Sequence, residues 1–263
     1  MSNKLELFVT DTHHPYADPA VWSLVLAVAK DLKPAIVWLN GDICDFYQAS
    51  SFIKDPANKH SLQHDLDVTA AAIADLRKAA PNAEMHFKEG NHEQRLTRYL
   101  FTRAEELSGL RSLQVRELLG LNKVGCVYHK NESPTKVGRL WHLHGNEVPT
   151  GSVHPAQKML RRVRDNVIFG HRHRFDVDHD RGISGSSHVA WAIGTTQLLT
   201  PEYDFHPIWD HGFALVEYAQ SGFFHITPVE VFTEKRQSHC VVYGKLYSAD
   251  VTGVKSLPKF YEV

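Results

Sequence analysis

The chain has 263 residues, 43% of them hydrophobic, with a formal net charge of −1 and 18 histidines. That length and apolar content suit a globular protein with a substantial core, built as one large domain or two small ones. Near-neutral charge excludes a global basic field, so any contact with a polyanion has to come from a local patch. Cys44, Cys126 and Cys240 are odd in number, widely spaced and form no C-x-x-C pair, which argues against a disulfide framework and fits a reducing cytosol. The opening MSNKLELFVT lacks the charged and then apolar regions of a signal peptide. AVWSLVLAVA at 20–29 is too short to span a bilayer. A cytoplasmic location with no membrane partner is therefore expected.

In chain order, LELFVT (5–10) reads as a strand, and 17–32 as a helix with Asp18 as N-cap and Pro19 in its first position. AIVWLN (35–40) is a strand. The stretch 61–80 has the apolar spacing of an amphipathic helix, closed by Pro81. EMHFKE (84–89) is a strand, 92–107 a helix, RLWHLH (139–144) a strand, 154–166 a helix and VIF (167–169) a short strand. The last third (HVAWAI, FALVEY, FFHITPVEVF, HCVVYGKLY) is strand-like. Alternation followed by a strand-rich half predicts an α/β fold, with two β-sheets packed face to face as a sandwich and helices outside. One domain is expected over 1–263, with 44–62 as a flap and 235–263 as a C-terminal extension.

Each of the five best strands runs into a polar cluster. These are Asp11-Thr12-His13, Gly41-Asp42-Ile43-Cys44-Asp45, Gly90-Asn91-His92-Glu93, His144-Gly145-Asn146 and Gly170-His171-Arg172-His173. Carboxyl ends of neighbouring strands in an open α/β sheet converge on one crevice. A crowd of carboxylates and imidazoles there requires compensating positive charge, which divalent metals supply. An oxygen and nitrogen set without cysteine favours Mn, Fe, Zn or similar ions. The glycines read as turns that aim side chains back over the strand ends.

D-x-H, G-D-x-x-D, G-N-H-E, H-G and G-H-x-H, in that order, resemble the signature blocks of the calcineurin-like metallophosphoesterases, across residues 5 to 215. The texture of LNGDICDFY, FKEGNHEQRL and FGHRHR is similar to phage and prophage members. The resemblance implies a four-layer αββα fold of two mixed sheets and two divalent metal ions, with manganese favoured and Fe, Zn, Ni or Co compatible. Asp11, His13 and His173 then hold the first ion, and Asn91, His144 and His171 the second, with Asp42 bridging both. A hydroxide held between the ions would attack phosphorus in line. His92 would protonate the leaving group, oriented by Asp45.

Other residues carry weaker signals. Arg95 is a candidate to grip a substrate phosphate, with His14, Arg172 and Arg174 as further substrate candidates. Arg98 follows Arg95 on the same helix. His142 reads as a packed or hydrogen-bonded residue, Cys44 as core filler, and Lys158, Arg161, Arg162 and Arg164 as a solvated face. DVDHD (176–180) reads as a hydrated loop. Trp209 and His211 fit a pocket wall or loop packing equally.

Asp45 is followed by Phe46-Tyr47 and not by the Arg-Gly of the related protein phosphatases. With an aromatic flap able to stack a base, this favours a phosphodiester in DNA, RNA or a nucleotide. A phosphomonoesterase is the alternative, and a non-catalytic scaffold a remote one.

Overall fold

A computed structural model describes residues 3–54, 58, 60–148, 152–183, 185–199, 208–234 and 237–250. The strands in chain order are β1 (Lys4–Val9), β2 (Ile36–Asn40), β3 (Glu84–Lys88), β4 (Cys126–His129), β5 (Thr135–Val137), β6 (Leu140–His142) and β7 (Val167–Phe169). They continue with β8 (Asp176–Arg181), β9 (Ser187–Ala192), β10 (Gly212–Tyr218), β11 (Phe224–Glu230), β12 (Phe232–Glu234), β13 (Gln237–Val242) and β14 (Lys245–Asp250). The helices are α1 (Pro19–Leu32), α2 (Leu62–Ala79), α3 (Glu93–Arg103), α4 (Val115–Leu118) and α5 (Pro155–Val163).

One sheet has the order β11-β10-β1-β2-β3-β4 and the other β5-β6-β7-β9-β8. Both are mixed: β1 to β4 run parallel beside antiparallel β10 and β11, while β6, β7 and β9 are parallel between antiparallel β5 and β8. Strand alternation sorts the side chains. Phe8, Ile36 and Trp38 meet Leu140, Ile168 and Ile193 between the sheets. Leu7, Val9, Val37 and Leu39 face outward against Val21, Leu24, Val25 and Val28 of α1 and Ile73 and Leu76 of α2. On the far side Met159 and Leu160 of α5 cover Val167, Phe169 and Ala190. These are four layers, αββα.

Local signals explain most element boundaries. Asp18 Oδ1 accepts from the amides of Ala20 (2.9 Å) and Val21 (3.1 Å) and starts α1. Arg164 adopts a left-handed conformation that stops α5 short of the predicted 166. DVDHD is not a hydrated loop: it lies in β8, an edge strand paired with β9, where its acidic side chains keep the free edge from pairing further. Short β4 and β5 escape the sequence pattern. A third small sheet, β12-β13-β14, packs Cys240, Val242 and Tyr247 onto the core that contains α1. It includes residues 237–250 of the expected C-terminal extension, and 251–263 lie outside the described residues. Cys44, Cys126 and Cys240 are free and buried. Among the described residues no helix is long and apolar enough to cross a membrane.

Candidate dinuclear metal centre

The sandwich brings the five polar clusters to one end. β1, β2 and β3 are neighbours in the first sheet and deliver Asp11, His13, Asp42 and Asn91. β6 and β7 are neighbours in the second and deliver His144, His171 and His173. The loops after β1 and β2 run side by side, joined by the amides of His13 to Asp42 O (2.9 Å) and His14 to Ile43 O (2.9 Å).

Two clusters of metal-ligating atoms result. Asp11, His13 and His173 form one, and Asp42, His144 and His171 the other, with Asp42 also grouped with His13 and His92. His173 Nε2 lies 3.2 Å from Asp11 Oδ1, and His13 Nε2 lies 3.9 Å from both Asp11 Oδ1 and Asp42 Oδ2. His144 Nε2 is 3.2 Å from Asp42 Oδ2 and 3.1 Å from Asn91 Oδ1. Asp42 is thus within reach of both clusters, and Asn91 stands beside the second.

The donor set fits cations. Asp11 Oδ1 is buried without a hydrogen-bond partner, and the Nε2 atoms of His13 and His173 face each other across 3.2 Å. Two imidazole lone pairs and a bare carboxylate oxygen in so small a space are satisfied together by a positive ion. The remaining atoms are anchored. Asp11 Oδ2 accepts from Thr10 Oγ1 (2.6 Å) and the amide of His171 (2.8 Å). His144 Nδ1 donates to Asn40 O at 3.0 Å, which leaves Nε2 as the free donor to a metal. Titration sets His144 apart, because its Nε2 holds a proton that a metal ion would displace. Burial, then the neighbouring imidazoles, pushes His13 down to about 4 and His171 to about 3, keeping them neutral. Burial also opposes protonation of His144, but the adjacent Asp42 carboxylate prevails and lifts it to about 10.

The backbone is bent to serve this geometry. Among the described residues nine non-glycine residues have positive φ, and five of them are Asp11, His13, Asp42, His171 and His173. Left-handed backbone at non-glycine residues concentrates at functional sites. The glycines act partly as read from the sequence: Gly41 and Gly145 do turn with positive φ. Gly90 and Gly170 serve a different purpose. A Cβ on Gly90 would lie 2.1 Å from Asp42 Oδ1, and one on Gly170 2.2 Å from Asp11 Oδ2. Close approach of backbone to ligand demands glycine there.

His92 sits beside the clusters, its Nε2 3.8 Å from Asp42 Oδ2 and its Nδ1 3.2 Å from Asp45 Oδ2. Asp45 Oδ2 also lies 3.1 Å from His13 Nδ1, so one carboxylate orients two imidazoles. Against the cost of burial, His92 and His13 hold Asp45 well below the usual carboxylate range. Burial works against a charged His92 too, yet Asp42 and Asp45 raise its pKa above the ordinary value. Arg95, the phosphate-gripping candidate, is engaged within the protein. Its Nη1 donates to Asp45 O (2.9 Å) and Oδ1 (3.1 Å), and Nη2 lies 2.8 Å from His92 Nε2. That last contact requires an unprotonated Nε2, so His92 takes a proton there only when Arg95 withdraws.

The other candidates separate. His14 is buried edge-on to Trp22 of α1, ring centroids 5.0 Å apart, and burial followed by His13 lowers its pKa to about 3. It faces the helix layer. Arg172 and Arg174 are half-buried next to His173. Trp209 packs its ring 4.4 Å from that of His173 and walls the site, whereas His211 is buried with Nε2 bonded to Gln197 O (2.8 Å). His142 is buried and bonded to Glu6 (2.8 Å). Cys44 is core, its thiol pKa driven up by burial. Lys158, Arg161, Arg162 and Arg164 are exposed.

Glu93 is the residue whose role the sequence reading missed. Fully buried, it accepts from four amides: Gly90 (2.7 Å) and Asp42 (3.0 Å) on Oε2, Ile43 (2.8 Å) and Cys44 (2.9 Å) on Oε1. It ties the Asp42 loop to the start of α3. Burial, then Asp42, pushes its pKa up to about 7 against the pull of those amides. Its place as last letter of the G-N-H-E block was the available signal.

No protein-family model matches the chain. It is 24% identical over 229 residues to the Gene 54 protein of Mycobacterium phage L5, covering 82% of this chain and 89% of that one. To the Gene 54 protein of Mycobacterium phage D29 it is 25% identical over 230 residues, with the same coverage. Among solved structures it resembles Chaetomium thermophilum Vps29 at a TM-score of 0.47 and 10% identity, over 94% of this chain and 97% of that one. The fold is a four-layer αββα sandwich of two mixed sheets, and the sequence is similar to the phage Gene 54 proteins.

Proposed function

We propose that the protein is a metal-dependent phosphoesterase that hydrolyses phosphodiester bonds of nucleotides or nucleic acid. The observation that carries this reading is the pair of ligand clusters meeting at Asp42, with unpartnered donor atoms turned toward each other. Asp11, His13 and His173 would hold one divalent ion, and Asn91, His144 and His171 the other, with Asp42 shared. The all oxygen and nitrogen donors suit manganese. Bound there, two ions would lower the pKa of water and neutralise charge on the phosphoryl oxygens. The chain supplies the rest. Asp45 fixes the tautomer and direction of His92, which delivers a proton from Nε2 to the leaving oxygen. Arg95 leaves Nε2 as substrate enters and turns its guanidinium to a phosphoryl oxygen.

Preference for a diester is supported by the aromatic residues that follow the ligand loops. Tyr16 and Tyr47 meet edge to face at 6.3 Å, and His60 stacks on Tyr16 at 6.0 Å, a surface able to receive a base or ring. The test is hydrolysis by chelator-stripped protein reloaded with Mn²⁺, using bis- and mono-p-nitrophenyl phosphate, cyclic nucleotides, DNA and RNA. Metal-dependent turnover with diester above monoester is expected. Faster monoester turnover overturns the diester assignment, and absence of turnover on every substrate overturns the hydrolase reading.

A further inference from the structure

Arg172 and Arg174 flank His173, and each has a buried Nε with no hydrogen-bond partner. Neither forms an ion pair among the described residues, although the chain carries 30 acidic side chains. Asp176, two residues on from Arg174, and Asp210, bonded through its amide to the His173 carbonyl, each turn one oxygen to a backbone amide. Asp176 Oδ2 accepts from the amide of Ala156 (2.9 Å), and Asp210 Oδ2 from that of Phe175 (2.9 Å). Arg95 shows the contrast, since its guanidinium is matched to Asp45. Exposed Arg161, Arg162 and Arg164 have water as partner, but a buried guanidinium N–H without an acceptor costs free energy that a ligand can return. Both side chains rise from the same short loop, one residue to either side of His173. Like charges held together without a carboxylate form a receptor for an anion.

The charge count says which anion. Two divalent ions would be offset by Asp11, Asp42, one hydroxide and one singly charged diester, and Asp45 offsets one of the two charges on protonated His92 and Arg95. Arg172 and Arg174 are then surplus to what the scissile phosphate neutralises.

We infer that Arg172 and Arg174 receive a second, non-scissile phosphate, so that the preferred substrates carry at least two phosphate groups. This rests on the phosphodiesterase reading for the identity of the first phosphate. The second could be the flanking phosphate of an oligonucleotide or the other half of a pyrophosphate linkage. Both present pairs of non-bridging phosphate oxygens that a guanidinium binds bidentately.

The test compares dTpdT, 5′-phosphorylated pdTpdT and the pyrophosphate-linked dithymidine. Binding is measured calorimetrically on Mn²⁺-loaded His92→Ala protein, and kcat/KM on the unsubstituted enzyme. Either doubly phosphorylated ligand should bind about tenfold or more tighter than dTpdT, and the one that gains identifies the source. Adding Arg172→Gln and Arg174→Gln should bring that ratio to about one, while Arg172→Lys with Arg174→Lys keeps part of it. A loss of folding lowers all three ligands together and leaves the ratio to be read on the Lys pair. Equal binding of all three ligands, or a ratio that survives the Gln pair, overturns the inference. Preserved ratios without any hydrolysis would sink the phosphodiesterase reading and leave the anion receptor standing.

Discussion

Glu93→Gln isolates the clamp under the metal centre. A carboxylate offers acceptors on both oxygens, and here each oxygen takes two amides. A glutamine retains one oxygen, so two amides keep a partner and two face an NH₂ that cannot accept. Hydrogen bonds to a charged group are worth about 1.5–3 kcal/mol each, so losing two costs about 3–6 kcal/mol. Part of that is returned, because a carboxylate whose pKa burial lifts to about 7 is already disfavoured as an ion. The net effect is expected to lower Tm by roughly 10 °C in a chain of this size. Since the Asp42 amide is one of the four, both ions should also bind more weakly. Thermal unfolding in chelator, repeated across a Mn²⁺ titration, measures the two effects separately. A variant with unchanged Tm and unchanged affinity for both ions would refute the reasoning, because it would mean that neither the clamp nor its charge supports the loop.

Asp42→Ala should weaken both ions where Asp11→Ala weakens mainly one; full retention of two ions by Asp42→Ala, measured by elemental analysis, would refute sharing. His92→Ala should keep both ions and lose activity by about 10²–10⁴-fold, most on substrates with poor leaving groups. An equal loss across leaving groups assigns His92 another role. Asp65 tests the electrostatics of the support. It is buried in α2 with both oxygens unpartnered, and burial, then Asp45, raises its pKa from 3.8 to about 7. Between those values the folded chain holds a proton that the unfolded chain releases. Stability therefore falls as pH rises through that window, by about 1.4 kcal/mol per unit, and levels off above it. Asp65→Asn mimics the protonated form, so its Tm advantage should grow from pH 5 to pH 8; an equal difference at both refutes the assignment.

The chemistry was legible because it restricts residue type: Asp, Asn and His at strand ends, in order, survive as letters whatever the packing around them. His142 and Cys44 were also readable, His142 because only His144 precedes the glycine turn, and Cys44 because a single thiol with no base nearby in sequence reads as core. What escaped depends on tertiary partners. Nothing in EQRL says that Arg95 reaches back to Asp45, or that Glu93 collects amides from a loop fifty residues away. β8 was missed because its alternation is polar on both faces at a sheet edge, where burial imposes no apolar pattern. Likewise Gly90 and Gly170 look like turn glycines in sequence, and only the packed ligands reveal the missing Cβ as the requirement.

The least legible feature is backbone strain, and it bears on how the centre works. Left-handed φ at a non-glycine residue costs on the order of 1–2 kcal/mol, and Asp11, His13, Asp42, His171 and His173 all adopt it. Asp and His enter that region more readily than other non-glycine residues, but five together still require the surroundings to hold them there. Asp42 is held by Glu93 from one side and Gly90 from the other, and Asp11 by Thr10 and the His171 amide. Each restraint crosses between blocks distant in sequence. The ligands are thereby held together by the protein's own contacts, with Asp11 Oδ1 and the Nε2 atoms of His13 and His173 turned into one space. A scaffold that holds its donors in mutual conflict transfers that cost to metal affinity: binding relieves it, and little reorganisation remains to oppose binding. Substitutions that relax the strain should therefore stabilise the metal-free fold while weakening its hold on the ions, the reverse of what loss of a packing contact does.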